Sequence, residues 1–173
     1  AETMKGALDW LEVLDKVRHA GVAFRARWIG DGSELPTLRA LIAERGLEGH
    51  VAAPGFSSDR SAILADLLGA DVFLFCHKTP ESPRCLIEAL ASGTPIIGYD
   101  GAFARDLIRN NGGGELVPVN DVAALAEQVV DLARDSDRRA TLICKAAKDG
   151  APFDDVSVFR HRSELIREHL PAR

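Results

Sequence analysis

The sequence is short of cysteine, of long apolar runs and of clustered positive charge, and each shortage excludes a class of protein. Its three cysteines, Cys76, Cys85 and Cys144, are odd in number and unevenly spaced. They set up no disulfide framework and point to a reducing compartment. Cys76, His77 and Cys85 do not have the spacing of zinc ligands, so no metal site is expected. No apolar run nears the roughly 20 residues that span a bilayer, and no signal-peptide pattern opens the chain. A transmembrane segment is therefore not expected, and the expected location is cytoplasmic. The net charge of -5 is spread along the chain without a basic run, so nucleic acid is not an expected partner. There is no internal repeat and no low-complexity linker.

What is present suits one domain over residues 1–173, with 46% hydrophobic residues to build a core. Residue 1 is Ala rather than Met, and the chain reads as a piece of a longer protein. Helical and strand patterns alternate. Helices are expected over Met4–Ala20, Glu34–Arg45, Ser61–Leu68, Pro83–Ala91, Phe103–Arg109, Val122–Leu132, Ser136–Lys148 and Val156–Leu170. Strands are expected over Phe24–Ile29, Val51–Ala53, Asp71–Phe75, Pro95–Tyr99 and Glu115–Val117. That alternation predicts an α/β fold, a Rossmann-like parallel sheet flanked by helices. Ligands of such sheets bind beyond the C-terminal strand ends. The loops to watch therefore follow Ile29, Ala53, Phe75, Tyr99 and Val117.

The most informative stretch runs from Pro80 to Ile97. It places Glu81 ahead of Ser82-Pro83, a pair suited to opening a helix, with Ser82 as cap and Pro83 in the first helical position. Glu88 follows inside the helix, and Ser92-Gly93-Thr94-Pro95 ends it. A helix N-terminus aimed out of a strand end binds phosphate through free backbone N–H groups. Carboxylates beside it can hold hydroxyls. Phosphate together with several hydroxyls describes a sugar nucleotide.

The run Glu81-Ser-Pro-Arg-x-x-Ile-Glu88-Ala-Leu-Ala-x-Gly-Thr-Pro-Ile-Ile resembles the signature of the group 1 glycosyltransferases, which have the two-domain GT-B architecture. Other stretches are similar to that family in the same order: Lys5-Gly6, Trp28-Ile-Gly-Asp-Gly32, Val51-Ala-Ala-Pro-Gly-Phe56, Gly69-Ala-Asp-Val-Phe-Leu74 and Gly112-Gly-Gly-Glu-Leu-Val117. The family carries one more residue between its glutamates than the six found here between Glu81 and Glu88. Pro80 stands where an ungapped count back from Glu88 would put a glutamate. The family also has an arginine-tipped strand ahead of its Lys-Gly and an acceptor-binding N-terminal domain, and neither is expected in this chain.

The resemblance implies the donor-binding half of a GT-B enzyme. It would hold a nucleotide-diphosphate sugar for retaining transfer to a hydroxyl of an acceptor bound by the N-terminal domain. It implies a hexosyltransferase type of activity in polysaccharide or glycolipid synthesis. It also implies no cofactor and no metal, with peripheral attachment to the inner membrane face left open for the longer protein. A lone donor half is expected to transfer no sugar.

By the same resemblance Glu81 is the catalytic-site carboxylate that holds the donor sugar, Glu88 grips the ribose, and Lys5 faces the diphosphate. Ser82, Arg84 and Cys85 serve through the helix start. Gly55, Phe56 and Ser57 lie where the base rests, and His77 and Lys78 lie beside sugar and diphosphate. Each residue also has a plainer reading. Arg84 and Glu88, four apart, could pair in solvent for roughly 0.2–0.5 kcal/mol. Glu81 could be an acid favoured near a helix start, and His77 a packing residue. Gly30-x-Gly32 lacks the third glycine of a dinucleotide loop, since Leu35 stands there, and reads as a tight turn. Two rival functions remain at this stage. One is a sugar-nucleotide epimerase of GT-B architecture. The other is a non-catalytic α/β interaction domain such as a receiver, although the acidic cluster and late lysine of a receiver are not found.

Overall fold

Along residues 2–169, the part of the chain that the computed structural model describes, five short parallel strands alternate with helices and the last three helices follow one another without a strand. The strands are β1 (Ala26–Ile29), β2 (Val51–Gly55), β3 (Phe73–Phe75), β4 (Ile96–Tyr99) and β5 (Gly114–Val117). The helices are α1 (Ala7–His19), α2 (Leu35–Glu44), α3 (Arg60–Leu68), α4 (Arg84–Ala91), α5 (Ala102–Ile108), α6 (Val122–Arg134), α7 (Ser136–Gly150) and α8 (Asp155–His169). The expected end of the last helix, Leu170, lies outside the described residues. Four helices start where an aspartate side chain accepts from a first-turn N–H: Asp59 from Ala62, Asp121 from Ala124, Asp135 from Arg138 and Asp154 from Ser157.

The strands form two sheets rather than one. β1 pairs with β2, and β3–β4–β5 make the second sheet, all parallel. Among the described residues β1 and β3 each have a single strand partner, which is why the sheet divides there. The two sheets still share a core. Trp10, Leu11, Leu14 and Val17 of α1 pack with Leu38, Val51, Ile97, Tyr99, Val117 and Leu125. On the other side Phe75, Leu86, Leu90, Ile96, Ala104 and Ala146 form a second cluster under α4, α5 and α7. Helices thus cover both faces, and the C-terminal strand ends are left open for a site.

Two local expectations are corrected. The first helix is not continuous from Met4. A 3-10 turn, Thr3–Lys5, stops at Gly6, whose left-handed φ of 67° breaks the ladder before α1 begins. A Cβ on Gly6 would come 2.2 Å from the Cys76 carbonyl oxygen, so only glycine allows this approach. The motif helix does not begin at Pro83, and Ser82 does not cap it. Pro83 itself is the extended flanking residue (ψ 118°), no side chain caps α4, and Arg84 is its first residue. Pro83 lacks an N–H and holds φ at -70°, which suits a residue that ends the loop as well as one that starts the helix.

Candidate functional site

The turn Thr3–Lys5 brings the loops after β1 and β3 together. Glu2 accepts from the Ser33 hydroxyl (3.2 Å) after β1, and the Lys78 N–H after β3 donates to the Met4 carbonyl (2.8 Å). Lys5 lies between these contacts, exposed, and its charge acts on both His77 and Cys85. Burial pushes the His77 imidazole below its ordinary value of 6.5, and Lys5 adds to the shift while Glu81 opposes it. Burial likewise pushes the Cys85 thiol up, against the pull of Lys5 and of first-turn N–H groups. The structure therefore gathers Lys5, His77, Glu81 and Cys85 around the uncapped start of α4. An uncapped helix start in a cleft leaves N–H groups free for an anion.

One cleft lies against this helix start, and a second lies at the ends of β1 and β2. The first, of about 180 Å³, is lined by His77, Glu81, Ser82 and Pro83 on one side and by Tyr99 and Gly101–Ala104 on the other. Glu81 is half-buried there and accepts from the Thr79 hydroxyl at 3.0 Å. The His77 Nδ1 is buried with no partner among the described residues. The second cleft, of about 480 Å³, is lined by Ile29, Gly30, Phe56, Ser57, Ser58, Arg60 and Ile63. Gly55 ends β2 at its edge with φ 99°, and its carbonyl accepts from the Gly30 N–H at 2.9 Å. Phe56 is 75% exposed.

Glu88 does not pair with Arg84. Its carboxylate accepts from Arg60 Nη2 at 3.1 Å, across from α3, with the arginine side chain 76% exposed. Arg60 lines the second cleft and links Glu88 to it, whereas Glu81 lines the first. At about 1.5 Å per residue, Glu88 lies roughly 6 Å along the helix from Arg84. The separation suits a ligand that lays phosphates over the helix start and a second polar group beside its first turn.

Lys78, expected beside the sugar and diphosphate, is engaged within the protein. Its ammonium is bound to Asp9 of α1 at 2.8 Å, and the other Asp9 oxygen accepts from the Tyr99 hydroxyl at 2.6 Å. Burial, then the bond to Asp9, raises the Tyr99 phenol well above its ordinary value and keeps it a donor. Sequence reading missed Asp9, Tyr99 and Arg60. The chain's single tyrosine at the end of a fully buried strand was a usable signal for Tyr99. Nothing local distinguishes Asp9 or Arg60. Among the described residues no cluster of three or more His, Cys, Asp or Glu could hold a metal ion, and no helix is long and apolar enough to cross a membrane.

Comparison with known proteins decides the family. Residues 1–149 match the family described as "Glycosyl transferases group 1". The chain belongs to that family. WcaL of Salmonella typhimurium, assigned to colanic acid biosynthesis as a glycosyltransferase, is 32% identical over 173 residues, covering 94% of this chain and 42% of WcaL. This group 1 chain thus spans less than half the length of that relative. Its fold is that of solved GT-B glycosyltransferases. It superposes on Anabaena Alr3699/HepE in complex with UDP with a TM-score of 0.81 at 22% identity, over 96% of this chain and 46% of that one. It also superposes on the C-terminal domain of a group 1 glycosyl transferase, LpcC, from Francisella tularensis. There the TM-score is 0.78 at 18% identity, over 88% of this chain and 81% of the LpcC domain.

Proposed function

We propose that this domain is the donor half of a GT-B glycosyltransferase and seats a nucleoside-diphosphate sugar across the start of α4. The observation that carries the reading is the uncapped start of α4 beside a cleft lined by Glu81, with Glu88 of the same helix joined through Arg60 to a second cleft. The base rests in the second cleft beside Gly55, Phe56 and Ser57. Glu88 takes ribose hydroxyls, giving up or sharing Arg60. The diphosphate lies over Ser82, Arg84 and Cys85 and faces Lys5. The sugar enters the first cleft, where Glu81 accepts from its hydroxyls and the neutral His77 offers Nδ1. HepE, similar in fold, was solved with UDP, which supports a nucleotide of this kind.

The reaction in this reading is retaining transfer of a hexose to an acceptor hydroxyl. The acceptor oxygen bonds the anomeric carbon, the bond from that carbon to the diphosphate oxygen breaks with its electron pair staying on the phosphate, and the acceptor's proton passes to that leaving phosphate oxygen. Lys5 and the helix N–H groups stabilise that developing charge, with no metal required. The acceptor is held by a second domain, so this chain alone transfers no sugar. The products belong to polysaccharide or glycolipid synthesis, in keeping with relatives named for colanic acid biosynthesis and for phosphatidyl-myo-inositol mannosyl transfer.

Titration with UDP and GDP, followed by backbone amide shifts, tests the seat. Shifts are expected in residues 55–58 and 76–88. Shifts confined to other loops would remove the reading. An epimerase of the same architecture would instead interconvert a free nucleotide sugar without any acceptor, which product chromatography detects.

A further inference from the structure

We infer that Asp9 is a positioning residue for the donor seat: its carboxylate fixes the loop 76–83 through Lys78 and anchors that grip on Tyr99. The inference rests on the reading of this loop as part of the nucleotide-sugar seat. Asp9 stands in the first turn of α1, three residues after Gly6. It spends both oxygens on other elements, Oδ1 on the Lys78 ammonium at 2.8 Å and Oδ2 on the Tyr99 hydroxyl at 2.6 Å. Charge-assisted bonds of this length are the strong ones.

Lys78 is held at both ends by the same N-terminal segment. Its backbone N–H donates to the Met4 carbonyl at 2.8 Å while its side chain reaches Asp9. Beside it, Cys76 is wholly buried under Gly6. Lys5 sits between Met4 and Gly6, and Glu81 comes three residues after Lys78. The grip on Lys78 therefore sets the distance between the cation expected at the diphosphate and the carboxylate expected at the sugar.

A lysine in such a loop invites the role of phosphate ligand. The burial argues against it. The Asp9 side chain is 18% exposed and that of Lys78 30%. Removing Lys78 to a ligand would leave a mostly buried carboxylate with Tyr99 alone, which is costly. Lys78 is a tether, and the loop is set before ligand arrives.

Two readouts on the same chain test this: amide exchange of residues 77–82 without ligand, and affinity for UDP and GDP by calorimetry. Lys78→Met and Asp9→Asn should each speed the ligand-free exchange and weaken the nucleotide, both about tenfold, as one lost charged hydrogen bond implies. The double variant should be no worse than either single one. Weaker binding in Lys78→Met with unchanged ligand-free exchange would make Lys78 a ligand contact and overturn the inference. Faster exchange with unchanged affinity would leave Asp9 purely structural and overturn it too. If Asp9→Asn does not fold, the two readouts on Lys78→Met decide alone. Failure of the unaltered chain to bind either nucleotide would count against the proposed seat, and the exchange readout would still judge the tether.

Discussion

Two loops leave the C-terminal ends of strands in different sheets, one into α4 and the other into α3, and they are held in opposite ways. The loop after β3 is tied down by short bonds around a mostly buried carboxylate, with Gly6 pressed on Cys76 and Lys78 bound at both ends. The loop after β2 has few restraints. Phe56 is 75% exposed, Ser57 accepts from the Asp59 N–H at 3.2 Å, and the ion pair at its border uses an arginine that is 76% exposed. In the proposed donor seat the difference follows what each side would do. A charged, reacting group gains most from partners that are fixed beforehand. A flat base is held by surface contact and tolerates side chains that adjust.

The strongest way to break the comparison is to disturb the rigid side. Gly6→Ala would put a Cβ 2.2 Å from the Cys76 oxygen at a φ of 67°. It should cost about 3 kcal/mol or more from strain and overpacking. Urea unfolding measures this, and a midpoint equal to the parent's would show that the loop is not set by this contact.

Next in size is the polar group between the loops. Glu88→Ala should weaken UDP or GDP by about 1.5–3 kcal/mol, roughly 10- to 150-fold. It should hardly change fold stability, because an exposed ion pair such as that with Arg60 contributes about 0–1 kcal/mol. Calorimetry and thermal melts on one sample separate the two effects. Equal affinity in parent and variant would reduce Glu88 to a surface ion-pair partner.

A smaller effect concerns pH on the rigid side. The folded chain keeps His77 neutral below its ordinary value of 6.5, whereas the unfolded chain takes up a proton there. The unfolded state binds more protons, so stability should fall as pH drops through about 6.5. Chemical unfolding of the parent and His77→Gln across pH 5 to 8 checks the sign, and the variant should show a shallower fall. A parallel fall in both would assign the effect to other groups.

The smallest change is expected on the open side. Phe56→Ala should alter stability by no more than about 0.5 kcal/mol, as for other exposed positions away from packed contacts. A larger loss in a thermal melt would mean that this loop is also a built element, and the contrast would disappear.

Much of this site was legible in the residues. The sequence places Glu81 and Glu88 at a helix start after a buried strand, and the structure has Glu81 lining one cleft and Glu88 paired with Arg60, which lines another. Alternation of helices and strands was readable because periodicity follows burial, and burial dominates the fold. The errors were at ends and partners. Met4–Lys5 read as helix because the left-handed turn at Gly6 depends on Cys76, 70 residues later. Ser82 read as a cap because Ser-Pro often starts helices, but Pro83 took the flanking position. The plainer alternative for Glu88, a pair with Arg84, rested on neighbours four apart, while the partner found, Arg60, arrives from another helix.

Local chemistry in the sequence determined the strands, the helices, the motif and the sign of its charges, since these depend on residues within a few turns of one another. The tertiary structure alone decided which charges meet. Asp9, Lys78 and Tyr99 are separated by up to 90 positions and come together only when α1 packs over the ends of β3 and β4. Pairing of distant charges is set by how elements dock, and docking depends on the whole core rather than on any short stretch of chain.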